Sequence, residues 1–217
     1  MLSIFQLGKG EKMKNKISIL CFILSMLPNF SYADVFDLEL NVSQSALEGR
    51  VETHFLVSDM MLTTGLDIVS SSSEEDYTIG GLAVSLGGNT LTSDLQLDIG
   101  FRGIFGKVDK KREDGNVMAL AFLIALIYDI PEIGIYNRIP LDFEVRTEVN
   151  TAPEPLSFGD SNNYLEINTS LGLHVLGNKR GTLLVGYRNI LSEFKNDERD
   201  DWELSDASWF VGYRFRF

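Results

Sequence analysis

Eleven charged residues, Arg50, Glu52, Asp98, Arg102, Asp142, Glu144, Arg146, Glu148, Arg188, Arg214 and Arg216, occupy every-second positions in short segments whose intervening residues are mostly apolar. On a strand, such spacing puts each set on one face. Asp37, Glu39 and Asp94 add carboxylates to the same pattern. Opposed acids and guanidinium groups can do two things. Enclosed, they must pair to offset their desolvation; wetted, they line a narrow ion path, and an excess of acids makes that path prefer cations. Catalysis has weaker candidates. His54 and His174 fall on polar faces, but neither lies in a metal-ligand spacing, so a lumen hydrogen bond is the plainer reading. Gly159-Asp160-Ser161 sets a serine beside an acid, without the Gly-x-Ser-x-Gly elbow a nucleophile needs and in a turn-rich stretch after two prolines. The pairs Gly80-Gly81 and Gly87-Gly88 precede no helix, so they read as strand relief and turn chemistry rather than phosphate loops. No cofactor and no catalytic residue is indicated.

The elements that carry these residues have period two. Along 139–149, Ile139, Leu141, Phe143, Val145, Thr147 and Val149 alternate with Asp142, Glu144, Arg146 and Glu148, which no helix could sort into two faces. Segments 94–105 and 164–175 repeat the design, and weaker versions occur at 36–42, 50–57, 60–69, 76–86 and 182–191. With the apolar run 116–128, oily on both faces, and the closing strand 209–217, ten strands are expected, or eight if the first two merge or drop out. The expected fold is all-β: an antiparallel up-and-down transmembrane barrel with its charged faces inside and its apolar faces in lipid. Strand one running outward puts outer loops near 44–46, 70–75, 106–115, 151–162 and 195–201, and inner turns near 58–59, 87–90, 129–138 and 176–181. Long, polar connections then collect on the outer side, with 129–138 as an exception that can instead extend a strand. Tyr77, Tyr128, Tyr164, Tyr187, Trp202 and Trp209 fall near strand ends, where interfacial girdles belong.

The N-terminal segment gives an address. Lys14 and Lys16 precede an apolar run of about a dozen residues, 17–28, followed by Ser31-Tyr32-Ala33, the parts of a secretory signal peptide cleaved after Ala33. The run falls short of the roughly 20 residues of a transmembrane helix. Met13 offers an alternative start. Cys21, the single cysteine, lies inside that run, so residues 34–217 hold no thiol and no disulfide. These 184 residues carry 15 basic and 30 acidic side chains, a net charge of −15, which disfavours nucleic acid as a partner. Two outer loops concentrate charge: Lys107, Lys110, Lys111 and Arg112 could meet lipopolysaccharide phosphates, and Asp197, Glu198, Asp200 and Asp201 could hold Ca²⁺ or Mg²⁺, although solvated loops are the simpler reading.

Residues 150–217 resemble a known family. Ala152-Pro153-Glu154-Pro155-Leu156-Ser157-Phe158, Asn163-Tyr164-Leu165-Glu166 and Val185-Gly186-Tyr187-Arg188, with the aromatic closing strand, are similar to the YfaZ family of bacterial outer-membrane proteins; upstream, only Leu47-Glu48-Gly49 aligns. The resemblance implies a barrel in the outer membrane of a Gram-negative bacterium and brings no catalytic residues with it. The closing strand also resembles a C-terminal barrel-assembly signal, carried by Trp209, Gly212, Tyr213, Phe215 and Phe217, with Phe210 standing where a polar residue is usual. The expected function is a structural or narrow, cation-preferring pore role, with outer-membrane lipid, lipopolysaccharide and the barrel-assembly machinery as partners. Two other classes remain: a secreted lipocalin-like barrel with an apolar ligand inside, and an outer-membrane lipid enzyme, for which no rim constellation stands out.

Overall fold

A computed structural model describes residues 35–72, 76–89, 92–110, 113–133, 141–195 and 201–217. The segment 1–33 expected to be a signal peptide, with Met13 and Cys21, the loop residues Lys111, Arg112, Asp197, Glu198 and Asp200, and the connection 134–140 lie outside that set. Eleven strands follow in chain order: β1 (Val35–Ser43), β2 (Ala46–Val57), β3 (Met60–Ser72), β4 (Asp76–Asn89), β5 (Leu95–Lys110), β6 (Glu113–Ile133), β7 (Leu141–Ala152), the short β8 (Ser157–Gly159), β9 (Ser161–Leu176), β10 (Gly181–Phe194) and β11 (Trp202–Arg216). Ten of them are staves. Each pairs antiparallel with its neighbours, β7 pairs β9 past the short β8, and β11 returns to β1, which closes the ring. Closure leaves no edge strand along the wall, so the backbone polar groups find partners within it. Among the described residues no helix is long and apolar enough to cross a membrane; a barrel crosses with strands.

All ten expected strands are present, mostly longer than their alternation suggested. The first outer connection shrinks to Gln44-Ser45, so Leu47, Glu48 and Gly49 are strand residues. The β5–β6 hairpin runs on through 106–110 and 113–115, which places Lys107 and Lys110 on a strand instead of in a loop. Gly87-Gly88-Asn89 belongs to β4 rather than to a turn, because its residues pair with Gln96, Leu97 and Asp98. The apolar start of 129–138 extends β6 to Ile133.

Side-chain polarity inverts along the barrel axis. Over most of the wall the outward alternates are apolar and exposed, among them Leu82, Val84 and Leu86 on β4, Ile99, Phe101 and Phe105 on β5, Leu120, Phe122 and Ile124 on β6, and Val185 and Val211 on β10 and β11. Toward the end expected to face outward, these give way to Lys107, Asp109, Asp114, Asn116, Glu193 and Glu203. The inward face changes in the opposite sense. It is charged behind the apolar belt, whereas toward the outer end Val69, Ile79, Ile104, Val108, Val117, Ile190, Phe194 and Leu204 form one buried apolar cluster with Tyr77 and Tyr164. Behind lipid only a polar interior needs partners within the protein, whereas above lipid the wall meets water and its interior follows soluble-protein rules. The doubly oily run on β6 now has its reason: Val117, Ala119 and Ala121 face this cluster while Met118, Leu120 and Phe122 face outward.

Three of the six expected girdle aromatics, Tyr77, Tyr164 and Trp202, therefore sit elsewhere. Tyr77 and Tyr164 point inward and are buried, since burying a ring in the outer core outweighs an interfacial position once the hydroxyl has an acceptor. Trp202 stacks on Phe194 with ring centroids 4.0 Å apart and 5° between planes. Tyr187 and Trp209, paired across β10 and β11 at 5.3 Å, and Tyr128 on β6 stand on the outside.

Candidate functional site

Most of the charged alternates meet inside the barrel. Arg216, at the inner end of β11, holds Asp37 of β1 through Nε and Nη2 at 2.8 and 2.7 Å. Arg214 lies two residues further in, donating from Nε to Glu39 at 2.9 Å and from Nη1 to Glu144 at 2.7 Å. Arg146 grips Glu52 with both terminal nitrogens at 2.8 and 2.6 Å and reaches Glu148 at 3.1 Å. Arg50 donates to Glu148 at 2.8 Å and lies 3.4 Å from Glu48 and 3.6 Å from Glu52. Arg188 donates to the same Glu48 at 2.9 Å. Arg102, 1% exposed, is clamped between Asp67 and Glu166, the latter at 2.6 Å, and Tyr164 gives its hydroxyl hydrogen to Glu166 at 2.7 Å. Asn41 joins the groups, donating to Glu39 at 2.8 Å and Glu48 at 3.3 Å. Tyr77 donates to Asp206, which lies 3.9 Å from Arg188.

The pairs span the ring rather than one hairpin. Arg50 and Glu148 are 98 residues apart and Arg214 and Glu39 are 175, so closure of the sheet, not local sequence, selects partners. Small residues make the space. A β-carbon at Gly81 would press on Arg102 and lie 2.7 Å from the Asp67 carboxylate. At Gly212 it would run into Asn41, so this member of the expected assembly signal faces the interior. Phe210 also faces inward, buried over Gly186, which explains an apolar residue where a polar one is usual.

Two expected members stand apart. Asp98 is buried but accepts from Gln96 at 2.8 Å, and Asp142 is half-buried at the inner end; among the described residues no ion pair reaches either. Asp94, read as inward, is half-buried just before β5. Glu48, Asp67 and Asp206 are network members the alternation did not single out, and Glu166 joins them from the polar face of the 164–175 segment. Among the described residues nine buried carboxylates thus face six arginines, an acid excess inside the belt.

The histidines serve the same network. His54 bridges Thr63 at 2.9 Å and Asp37 at 3.3 Å, and His174 bonds Thr182 at 2.8 Å. Asp37, Glu52 and His54 bring potential metal ligands within 4.8 Å of one another, as do Asp129, Glu144 and His174. Their carboxylates are engaged already: Asp37 by Arg216, Glu52 by Arg146, Glu144 by Arg214 and Asp129 by Lys179 at 2.7 Å. Such a donor set fits ion pairing better than metal coordination. Ser161 Oγ donates to the Phe158 carbonyl at 3.2 Å and Asp160 accepts from Asn116, so the Gly-Asp-Ser stretch is a braced loop.

Among the pairs, a cavity of about 30 Å³ lies between Arg50, Asp67, Asp98 and Arg146, enough for a water or two. Beyond it the apolar cluster lies toward the other end of the interior. The ion pairs lie in the part of the interior where the narrow cation path was expected. A lipocalin-like arrangement fails on its faces, whose apolar belt is outside.

A closed antiparallel barrel with an apolar belt outside and ion pairs inside is a membrane-spanning β-barrel. No protein-family model and no curated protein matches the sequence. Among solved structures the chain is similar to the KdgM porin in complex with disordered oligogalacturonate, at 10% identity and a TM-score of 0.39 over 84% of this chain and 99% of that one. It is also similar to the translocator domain of the autotransporter NalP from Neisseria meningitidis, at 8% identity and 0.39 over 96% and 98%. The NanC porin shares 9% identity and a score of 0.34 over 83% and 98%. Correspondence this slight transfers no ligand and no residue role.

Proposed function

We propose that the chain is an integral outer-membrane protein of a Gram-negative bacterium whose barrel is a structural element with a closed, charge-paired interior, and that it is not an enzyme. The observation that supports this reading is the pairing of buried arginines with carboxylates behind an apolar belt. Arginine is always charged and bidentate, so such pairs lock the wall internally and hold the space a solute would need. Kinship with the YfaZ family belongs to the same reading. So does export through the signal segment 1–33 ahead of a barrel domain 34–217.

Assembly follows from the closing strand. Trp209, Tyr213 and Phe215 face outward on β11 and Phe217 ends the chain beside Phe36, with ring centroids 6.0 Å apart. We assign recognition by the barrel-assembly machinery to these residues together with Gly212. Lipopolysaccharide is the expected outer-leaflet neighbour of Lys107 and Lys110 at the tip of β5. Substituting both with Glu should lower lipopolysaccharide co-purification, and unchanged recovery would remove that contact from the account. Cell fractionation tests the whole reading. Recovery in the outer membrane with heat-modifiable gel mobility supports it, a soluble periplasmic pool refutes it, and stable cation-selective steps in planar bilayers would restore the pore.

A further inference from the structure

One feature outside the network has the form of a binding site. At the outer mouth, the β7–β9 connection, the tip of β6, the end of β10 and the start of β11 enclose an open cleft of about 670 Å³, within the size range of small-molecule sites. Its aromatic wall is the indole of Trp202, fixed because Phe194 covers one ring face at 4.0 Å. Its carboxylates differ in what holds them. Lys195 neutralises Glu154 through a 2.6 Å ion pair. Asp160 instead accepts from neutral donors, the backbone N–H of Asn116 at 2.8 Å and its side-chain amide at 3.2 Å, so it is positioned while keeping its charge. Among the described residues Asp114 pairs with Lys107 at 3.9 Å, both side chains being exposed. The cleft is therefore anionic and carries an oriented aromatic ring.

We infer that this cleft binds a small linear organic amine in its ammonium form, with Trp202 supplying a cation–π contact and Asp160 and Asp114 accepting ammonium hydrogens. The combination excludes the alternatives one by one. An anionic sugar or phosphate would meet three carboxylates, Asp114, Glu154 and Asp160, against the single lining cation Lys195. A bare divalent metal needs about six oxygen ligands and gains nothing from an indole. An alkylammonium uses both kinds of group, since aromatic faces attract cations within about 6 Å and carboxylates form charge-assisted hydrogen bonds. A second cleft of about 490 Å³ shares Asn162, Lys195 and Trp202 with the first and adds Glu193, Asp201 and Glu203 against one further cation, Lys110, so a chain with two or more ammonium groups can lie across both.

The chain has two tryptophans, so Trp209→Phe leaves Trp202 as the single indole reporter. Full-length barrel carrying that change, folded in detergent, should show saturable quenching or enhancement of Trp202 fluorescence on titration with spermidine. Asp160→Asn combined with Asp114→Asn should weaken the apparent affinity by about tenfold or more, with heat-modifiable mobility unchanged. Calorimetry with Trp202→Leu should show a loss as well. No saturable response to spermidine, an affinity unaltered by the double substitution, or Mg²⁺ binding with equal affinity and displacing the amine would each overturn the assignment. Glucose and galacturonate should leave the signal flat, and a response to either at the same concentration would point to sugar recognition instead.

Discussion

Removal of one buried cation should cost the barrel several kcal/mol, and Arg102 is the sharpest place to measure it. Arg102→Met keeps most of the side-chain volume and strands Asp67 and Glu166, both buried, the second with only the Tyr164 hydroxyl left as donor. Each lost charge-assisted hydrogen bond is worth about 1.5–3 kcal/mol, so two give about 3–6 kcal/mol. Breaking a buried pair by removing one partner costs about 3–5 kcal/mol by comparison, so about 4 kcal/mol is expected. Urea unfolding from lipid vesicles, followed by tryptophan fluorescence and by gel mobility, reads the change. Neutralising the stranded acids in the same chain, with Asp67→Asn and Glu166→Gln, should recover more than half of the loss, because the cost is uncompensated charge rather than a missing side chain. A loss below about 1 kcal/mol, the range of an exposed pair, or no recovery in the triple variant would refute the view that these charges are enclosed.

Three further outcomes follow from the same geometry. Phe101→Lys, on the lipid-facing side of β5, should destabilise by about 2–4 kcal/mol in vesicle unfolding while Asp109→Lys near the outer tip changes little, and equal effects would misplace the belt. Phe194→Ala, which opens the apolar cluster around a ring 1% exposed, should cost about 3–5 kcal/mol in the same assay, whereas a negligible loss would mean the outer end is not a packed core. Gly81→Ala drives a methyl into Arg102 and Asp67 and should lose about 1–3 kcal/mol; Gly103→Ala, whose new carbon meets only the Leu82 carbonyl at 3.9 Å, should be near neutral, and the reverse order would contradict the packing.

Strand positions were legible because one alternation separates lipid from lumen along each stave. Arg146 and Glu148 declared their shared face through the apolar residues between them, and the closure of β11 on β1 put Arg214 and Arg216 beside the acids of β1. Partners were not legible, since Arg102 and Glu166 are 64 residues apart and only the closed ring brings them together. Asp67 went unnoticed because its face also carries Gly65 and Val69, so no charged stripe marks it. Glu48 fell between the loop expected at 44–46 and the strand expected from Arg50, because the tight turn at Gln44-Ser45 has no glycine or proline to announce it. The apolar cluster was the least visible part. Ile79, Ile104 and Val108 look like flaws in alternation until the inward face changes from charged to apolar along the axis, an inversion set by where the bilayer ends.

The account turns on two faces of one wall, and single-cysteine labelling along β6 tests it most directly. In a Cys21→Ser background, Leu120, Phe122 and Ile124 are changed to Cys one at a time, and Ala119, Ala121 and Ala125, whose small side chains admit a thiol, likewise. Outward positions should react with a membrane-partitioning maleimide and not with a charged, water-soluble one, and inward positions with neither. Labelling of Ala119, Ala121 or Ala125 variants by the water-soluble reagent would show a hydrated, open lumen, and loss of the alternation would show that the wall does not face lipid at all.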